Sequence, residues 1–218
     1  TDTDDSEGQV LRERQVGAYT REAVESLLQR FIGEIQQVPP IYSALKQGGE
    51  PMYLKARRGE IIELPARPVR IHDITLQNLE ADAFSLQVTC GSGTYIRSLA
   101  RDIAYALGTC GHVTYLRRTK AGPFLQEQAI SLDNLEESAK RASLEHLLLP
   151  LEAGLDDIPA LHLDQTSAQA VRQGRVLSGM PQSSGLYLAK LGKVPVALME
   201  IQDGTAKVVR GFNLSDVA

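Results

Sequence analysis

Residues 67–107 place the tightest constraint on the fold, because two runs of alternating apolar residues lead through a glycine-bracketed turn into an amphipathic helix. Val69, Ile71, Ile74 and Leu76 mark the first run and Phe84, Leu86 and Val88 the second. This is the pattern of adjacent antiparallel strands with one face buried. Gly91-Ser92-Gly93 then turns the chain into a predicted helix over 94–107, whose apolar residues Ile96, Leu99, Ile103 and Leu107 form one side and which Gly108 ends.

The start of that helix carries an electrostatic oddity. Arg97 falls in its first turn, where the positive end of the helix dipole disfavours a cation by a few tenths to about 1 kcal/mol. Arg101 follows one turn later and adds a like-charge cost of roughly 0.2–0.5 kcal/mol. A sequence that keeps both arginines there places an anion beside them. The planar guanidinium suits carboxylate and phosphate alike, so the helix names an anion site without naming its anion.

On either side the pattern changes. Val10–Val16 reads as a short strand, and Thr20 as the N-cap of a helix whose apolar face is Val24, Leu27, Leu28, Phe31 and Ile32. Between Gln37 and Pro65 the prolines 39, 40 and 51 and the glycines 48, 49 and 59 break every regular pattern, apart from helical turns around Tyr53–Arg58. So long a loop in a compact domain is a functional element or a disordered one. A strand is expected over Val113–Arg118, and helices from Ser131 and Ser143. After Pro159 come short β-like runs, 186–191, 194–201 and 206–209, with Gly192-Lys193 and Asp203-Gly204 as hairpin turns. Residues 160–218 are expected to form a separate small β domain.

Charge sharpens the reading. The chain is net −4, yet residues 46–120 hold eleven Lys and Arg against seven Asp and Glu. A basic middle with acidic flanks is the pattern of a face that meets phosphate. Cys90 and Cys110 lie far apart, and the four histidines show no His-Glu-x-x-His spacing, which gives no zinc or disulfide framework. No apolar run reaches the roughly 18–20 residues that span a bilayer, and the acidic opening Thr1-Asp2-Thr3-Asp4-Asp5 is the reverse of a basic signal peptide. The expectation is a cytoplasmic globular protein with neither metal nor membrane partner.

Four segments in order, Thr1-Asp2-Thr3-x-Asp5-x-x-Gly8, Tyr42-Ser43-Ala44-Leu45-Lys46, Gly93-Thr94-Tyr95-Ile96-Arg97 and Gly111-His112-Val113-x-x-Leu116-Arg117-Arg118, resemble the TruB group of pseudouridine synthases. The resemblance implies an isomerase that converts a uridine of the tRNA T arm, position 55 of the tRNA, to pseudouridine without metal or redox cofactor. It implies an α+β fold: a mixed, mainly antiparallel sheet flanked by helices over 1–159, and a PUA-like β domain over 160–218. Arg97 would pair with the catalytic aspartate, Tyr95 would contact the flipped uridine, and Leu116 would line the base pocket. Residues 37–65 would be the RNA-clamping thumb, with Tyr42, Lys46, Tyr53 and Arg57 joined by Arg117 and Arg118 in gripping tRNA. Gly49, Tyr53, Ala56, Arg57 and Gly59 fit the thumb pattern, whereas Glu50-Pro51 stands where basic residues are commoner. No protein partner is implied.

The family's nucleophile sits in a Gly-His-x-Gly-x-Leu-Asp-Pro motif, and none of the twelve aspartates here lies in that context. The resemblance places the motif N-terminal to Thr1, so this chain alone is expected to be inactive. A different expectation, a noncatalytic RNA-binding or tRNA-folding module, would keep the grip without the chemistry. A plain α/β domain with no RNA role would show no salt-dependent binding to a T-arm hairpin.

Overall fold

The computed structural model describes all residues except 44, 59, 61–63, 142, 143 and 215–218, and gives Gln47 and Tyr53 by their backbone alone. Gly59 and Ser143, both singled out in the sequence, therefore lie outside the described residues. The chain forms two units, Thr1–Leu116 and Arg117–Ala218.

In the first unit, Thr20 accepts a hydrogen bond from the Ala23 amide and so caps α1, Arg21–Leu28. Capping of this kind stabilises by about 1 kcal/mol. A single tighter turn, Gln29–Phe31, leads to β1, Gly33–Gln37, a strand with no expectation behind it because Glu34, Gln36 and Gln37 mask its alternation. The short strands β2, Lys46–Gln47, and β3, Glu50–Pro51, form a hairpin that feeds α2, Met52–Arg57. The helical turns expected near Tyr53 are thus present, and Met52 is buried beneath them.

Strands β4, Arg67–Leu79, and β5, Phe84–Cys90, pair antiparallel, and β1 joins the other edge of β4 to give the order β1-β4-β5. Val69, Ile71, Ile74 and Leu76 are all buried although the step from 71 to 74 breaks strict alternation. A register shift between Ile71 and Asp73 absorbs the extra residue and returns the apolar side chains to one face. On that face packs α3, Ile96–Ala106, through Leu99 and Ile103, with Val24 and Leu28 of α1 completing the core. Burying such side chains fully is worth about 1.5–3 kcal/mol each.

Two expected strands are absent. Residues 10–16 adopt no regular element, with Val10 and Leu11 largely exposed. This segment is instead tied to the end of α3: Arg14 donates to the Gly108 carbonyl, Thr109 to that of Gln15, and Tyr19 to that of Leu107. Val113–Arg118 makes only an isolated parallel bridge between Val113 and Asp5, and Tyr115 is 80% exposed. Apolar content suggested strands in both places, but side-chain and single-bridge contacts hold these segments without a sheet edge to join.

In the second unit, β6, Lys120–Ala121, and β7, Phe124–Leu125, form a hairpin, and Ser131 caps α4, Leu132–Lys140. The helix expected from Ser143 is a short 3-10 turn, Leu144–Leu147. The core lies further on, in β8, Ala160–Leu163, α5, Gln165–Arg172, β9, Leu177–Ser178, β10, Gly185–Leu191, β11, Val194–Gln202, and β12, Thr205–Gly211. The sheet order is β8-β10-β11-β12-β9, parallel only between β8 and β10. Helix α5, capped by Asp164 on the Ser167 amide at 2.7 Å, buries Ala168 and Val171 against Ala189, Ala197 and Met199. The β-only reading of this region missed it, because its apolar positions are mostly alanines that carry little periodic signal. The whole is an α+β fold with mainly antiparallel sheets. Among the described residues, no helix is long and apolar enough to cross a membrane.

Candidate active site at the start of helix α3

The left-handed backbone of Gly93, φ +84°, closes the turn after β5 and delivers Tyr95 to the N-cap of α3. A side chain at that angle would be strained. Thr94 reinforces the turn by donating to the Gly91 carbonyl at 3.0 Å. The helix begins at Ile96 rather than Thr94, which leaves Arg97 in the first turn as expected.

Arg97 finds its anion in Asp5. Its Nη1 lies 2.9 Å from Asp5 Oδ2 and 3.1 Å from the Thr3 carbonyl, and its Nη2 donates to the Tyr42 carbonyl at 3.0 Å. Two distant segments, Thr3 to Asp5 and that of Tyr42, therefore meet on one guanidinium of α3. Charge-assisted bonds of this kind are worth about 1.5–3 kcal/mol when sheltered, and here both side chains are roughly a quarter exposed.

Asp5 is built to stay ionised. The Thr3 hydroxyl donates to Oδ1 at 2.6 Å and the Glu7 amide donates to the same oxygen at 3.1 Å. These bonds, that of Thr3 first, together with Arg97 hold the carboxyl below its ordinary value of 3.8. The segment is further fixed to Val113, whose amide donates to the Asp4 carbonyl while the Ser6 amide donates to the Val113 carbonyl.

The neighbouring Asp4 is treated oppositely. It is buried, and desolvation pushes its carboxyl up despite the opposing pull of Arg101, whose Nη1 lies 3.0 Å from Asp4 Oδ2. Arg101 also donates to Asp102 at 2.9 Å and to the Val38 carbonyl at 3.0 Å.

Of the site residues expected from sequence, Tyr95, Arg97 and Tyr42 come together, the last through its carbonyl. A cavity of about 150 Å³ opens beside Tyr95, with Gln37, Leu45, Arg67 and Ser92 among its walls. Leu116 is 59% exposed and stands three residues beyond Val113. Lys46 on β2 and Arg57 at the end of α2 are both exposed, and the Tyr53 side chain lies outside the described ones. Arg58 is chelated by Glu50 at 2.6 and 2.9 Å and bonded to Glu60 at 2.7 Å. Arg117 and Arg118 open the second unit, where Arg117 donates to Gln126 at 3.1 Å. Among the described residues no cluster of His, Cys, Asp and Glu has the form of a metal site. Sequence reasoning gave no role to Asp5 or Gln37; the spacing of the Thr1–Gly8 motif was the available signal for the first, and nothing local marked the second.

Solved structures similar to this chain carry the same kind of body. A chain of a Cbf5-Nop10-Gar1 complex matches with a TM-score of 0.63 at 25% identity, over 84% of this chain and 56% of its own length. Another, in an H/ACA RNP bound to a substrate RNA containing 2'-deoxyuridine, matches with a TM-score of 0.69 at 22% identity, over 92% of this chain and 63% of its own. This chain thus spans less than two thirds of those solved chains. The fold is that of the pseudouridine synthases.

Residues 1–96 match the family model described as TruB family pseudouridylate synthase (N terminal domain), and residues 97–156 that of the tRNA pseudouridylate synthase B C-terminal domain. A relative named tRNA pseudouridine synthase B from Novosphingobium aromaticivorans is 56% identical over all of this chain and 73% of its own length. One of the same name from Zymomonas mobilis is 49% identical over 98% of this chain and 70% of its own. The chain belongs to the TruB family of pseudouridylate synthases.

Proposed function

We propose that this chain forms the body of a tRNA pseudouridine synthase, an isomerase that rebuilds a T-arm uridine as its carbon-linked isomer. The observation that carries the reading is Arg97, fixed in the first turn of α3 by Asp5 and by the Thr3 and Tyr42 carbonyls, two residues after Tyr95. The reaction breaks the bond from uracil N1 to ribose C1′, turns the ring and forms a bond from C5 to C1′. The proton on C5 is lost and N1 gains one, so no redox partner is needed.

A target base inside a folded arm must leave its stack to be reached. Tyr95 contacts the flipped uridine and Leu116 lines its pocket. Arg97 faces the carboxylate of the family's Leu-Asp motif, keeping it ionised and aimed, since an opposite charge nearby favours the carboxylate. A guanidinium already held at three points loses no further freedom when that carboxylate and the substrate meet it.

Residues 37–65 act as the thumb. Tyr42, Lys46, Tyr53 and Arg57 grip the T arm, with stacking worth about 1–3 kcal/mol per base, and Arg117 and Arg118 contact phosphates. The β domain of 160–218, PUA-like in this reading, adds contacts to tRNA outside the arm. The protein works in the cytoplasm on tRNA, without a cofactor or protein partner.

The test is tritium release from a T-arm hairpin carrying 5-tritiated uridine, with the full-length natural gene product and its Arg97→Ala variant. Release by the natural protein and at least a hundredfold loss in the variant is the expected result. Salt-sensitive binding with no release from the natural protein overturns the catalytic reading.

A further inference from the structure

We infer that Gln37 is a positioning residue for this reaction, a buried amide that fixes the backbone of Tyr95 and with it the start of α3. The inference rests on the proposed isomerase activity.

Gln37 ends β1 with only 1% of its surface exposed. Its side-chain oxygen accepts from the Tyr95 amide at 2.9 Å, and its side-chain nitrogen donates to the Tyr95 carbonyl at 3.1 Å. Only one orientation of the amide satisfies both bonds, because Tyr95 presents one donor and one acceptor. The side chain thus pairs with residue 95 as a neighbouring strand would.

The clamp sits where the helix most needs it. Tyr95 is the N-cap of α3, yet no side-chain capping bond forms there. Its carbonyl also takes the Leu99 amide, the first helical bond, so Gln37 and the helix together fill both acceptor positions. Rotation about residue 95 would move the Tyr95 side chain and, two residues on, Arg97.

The chain after Gln37 extends the same function. Val38 gives its carbonyl to Arg101 and Tyr42 gives its carbonyl to Arg97, while Pro39 and Pro40 between them hold the backbone extended. Three residues within a six-residue span, Gln37, Val38 and Tyr42, therefore anchor the cap and both arginines. The same strap leads directly into the thumb hairpin at Lys46.

The experiment compares the full-length natural protein with Gln37→Met, which keeps the length and loses both bonds, and with Gln37→Glu, whose carboxylate keeps the acceptor and loses the donor. Thermal unfolding, hairpin Kd, amide exchange at Tyr95 and the single-turnover rate of tritium release are measured for each. We expect Tyr95 exchange faster by tenfold or more and, at protein concentrations that saturate the hairpin, a single-turnover rate lower by roughly 10- to 100-fold, the scale of a small misplacement near the reacting atoms. A folded Gln37→Met protein with the natural turnover rate overturns the inference. Should that variant fail to fold, Gln37→Glu carries the same test, and an unchanged rate in it is equally decisive. If the natural protein itself releases no tritium, the proposed activity fails and the positioning role with it; that result is distinct from failure of the clamp alone, in which natural protein and variant turn over equally fast.

Discussion

Arg101 lies one helical turn beyond Arg97 on α3, and the two guanidiniums hold consecutive carboxylates, Asp4 at 3.0 Å and Asp5 at 2.9 Å. The chain achieves this with a left-handed residue at Asp4, φ 60°, which turns adjacent side chains toward successive turns of the helix. The two ion pairs that resolve the repulsion of stacked arginines differ in burial. Arg101 and Asp4 are 18% and 13% exposed, against 27% and 25% for the outer pair.

The inner pair should dominate stability. Removing one partner of a sheltered pair leaves an uncompensated charge, so Arg101→Ala is expected to destabilise the folded protein by about 3 kcal/mol. Adding Asp4→Asn should restore part of that loss, because the orphaned charge disappears. Urea unfolding of the natural protein, both single variants and the double variant gives the coupling directly; strictly additive effects would show that the two residues act independently.

Asp5 should make stability fall in acid. Its carboxyl is held below the ordinary 3.8 in the folded chain, first by the Thr3 hydroxyl, so the unfolded chain binds the proton more readily. The stabilisation is fully present above that ordinary value and is lost as pH falls through the lower folded value. Asp5→Asn is therefore expected to be less stable than the natural protein at neutral pH, with the gap closing as pH drops below about 4. Unfolding curves at pH 7, 5, 4 and 3 check this, and a gap independent of pH would rule it out.

How much of this was legible depends on whether a residue's signal was local. The pair β4 and β5, the Thr20 cap and helix α3 follow from periodicity and capping chemistry within a few residues, and all three stand in the structure. The anion beside Arg97 was also legible as a need, since two arginines at a helix start demand one. Its identity was not, because Asp5 lies ninety-two residues away and only the fold brings it to 2.9 Å. Gln37 is harder still: a glutamine beside a proline pair looks like loop, and its meaning is a hydrogen-bond partner fifty-eight residues on. Residues 10–16 failed the other way. Their apolar content resembles a strand, but a strand also requires a neighbour with free backbone groups.

On the proposed reading of residues 37–65 as an RNA-clamping thumb, Glu50 should weaken its grip. It chelates Arg58 with both carboxylate oxygens, and Glu60 takes a third bond, so a cation available for phosphate is neutralised within its own segment. Glu50→Gln is expected to tighten hairpin binding two- to fivefold at low salt and to steepen the salt dependence by up to about one counterion. Filter binding at several salt concentrations measures both; an unchanged slope would mean that Arg58 meets no phosphate.

Gly8 should prove indispensable to the site although it contributes no side chain. A Cβ there would fall inside Thr3 Oγ1 and Asp2 Oδ1 and 2.9 Å from the Thr3 backbone nitrogen. The two side-chain atoms can rotate away, but doing so gives up the bonds from the Thr3 hydroxyl to Asp5 and from the Gln9 amide to Asp2. The backbone nitrogen cannot move without carrying the Thr3 carbonyl, which holds Arg97. Gly8→Ala is therefore expected to cost about 1–3 kcal/mol of stability, the range for forcing a methyl into packed structure. Single-turnover release should fall by tenfold or more in protein that remains folded and binds the hairpin normally. A parallel Gly211→Ala variant is the control, since its added Cβ meets nothing within 4 Å. If Gly8→Ala turns over as fast as the natural protein, the Thr1–Gly8 turn is a scaffold for the fold and does not set the position of Arg97.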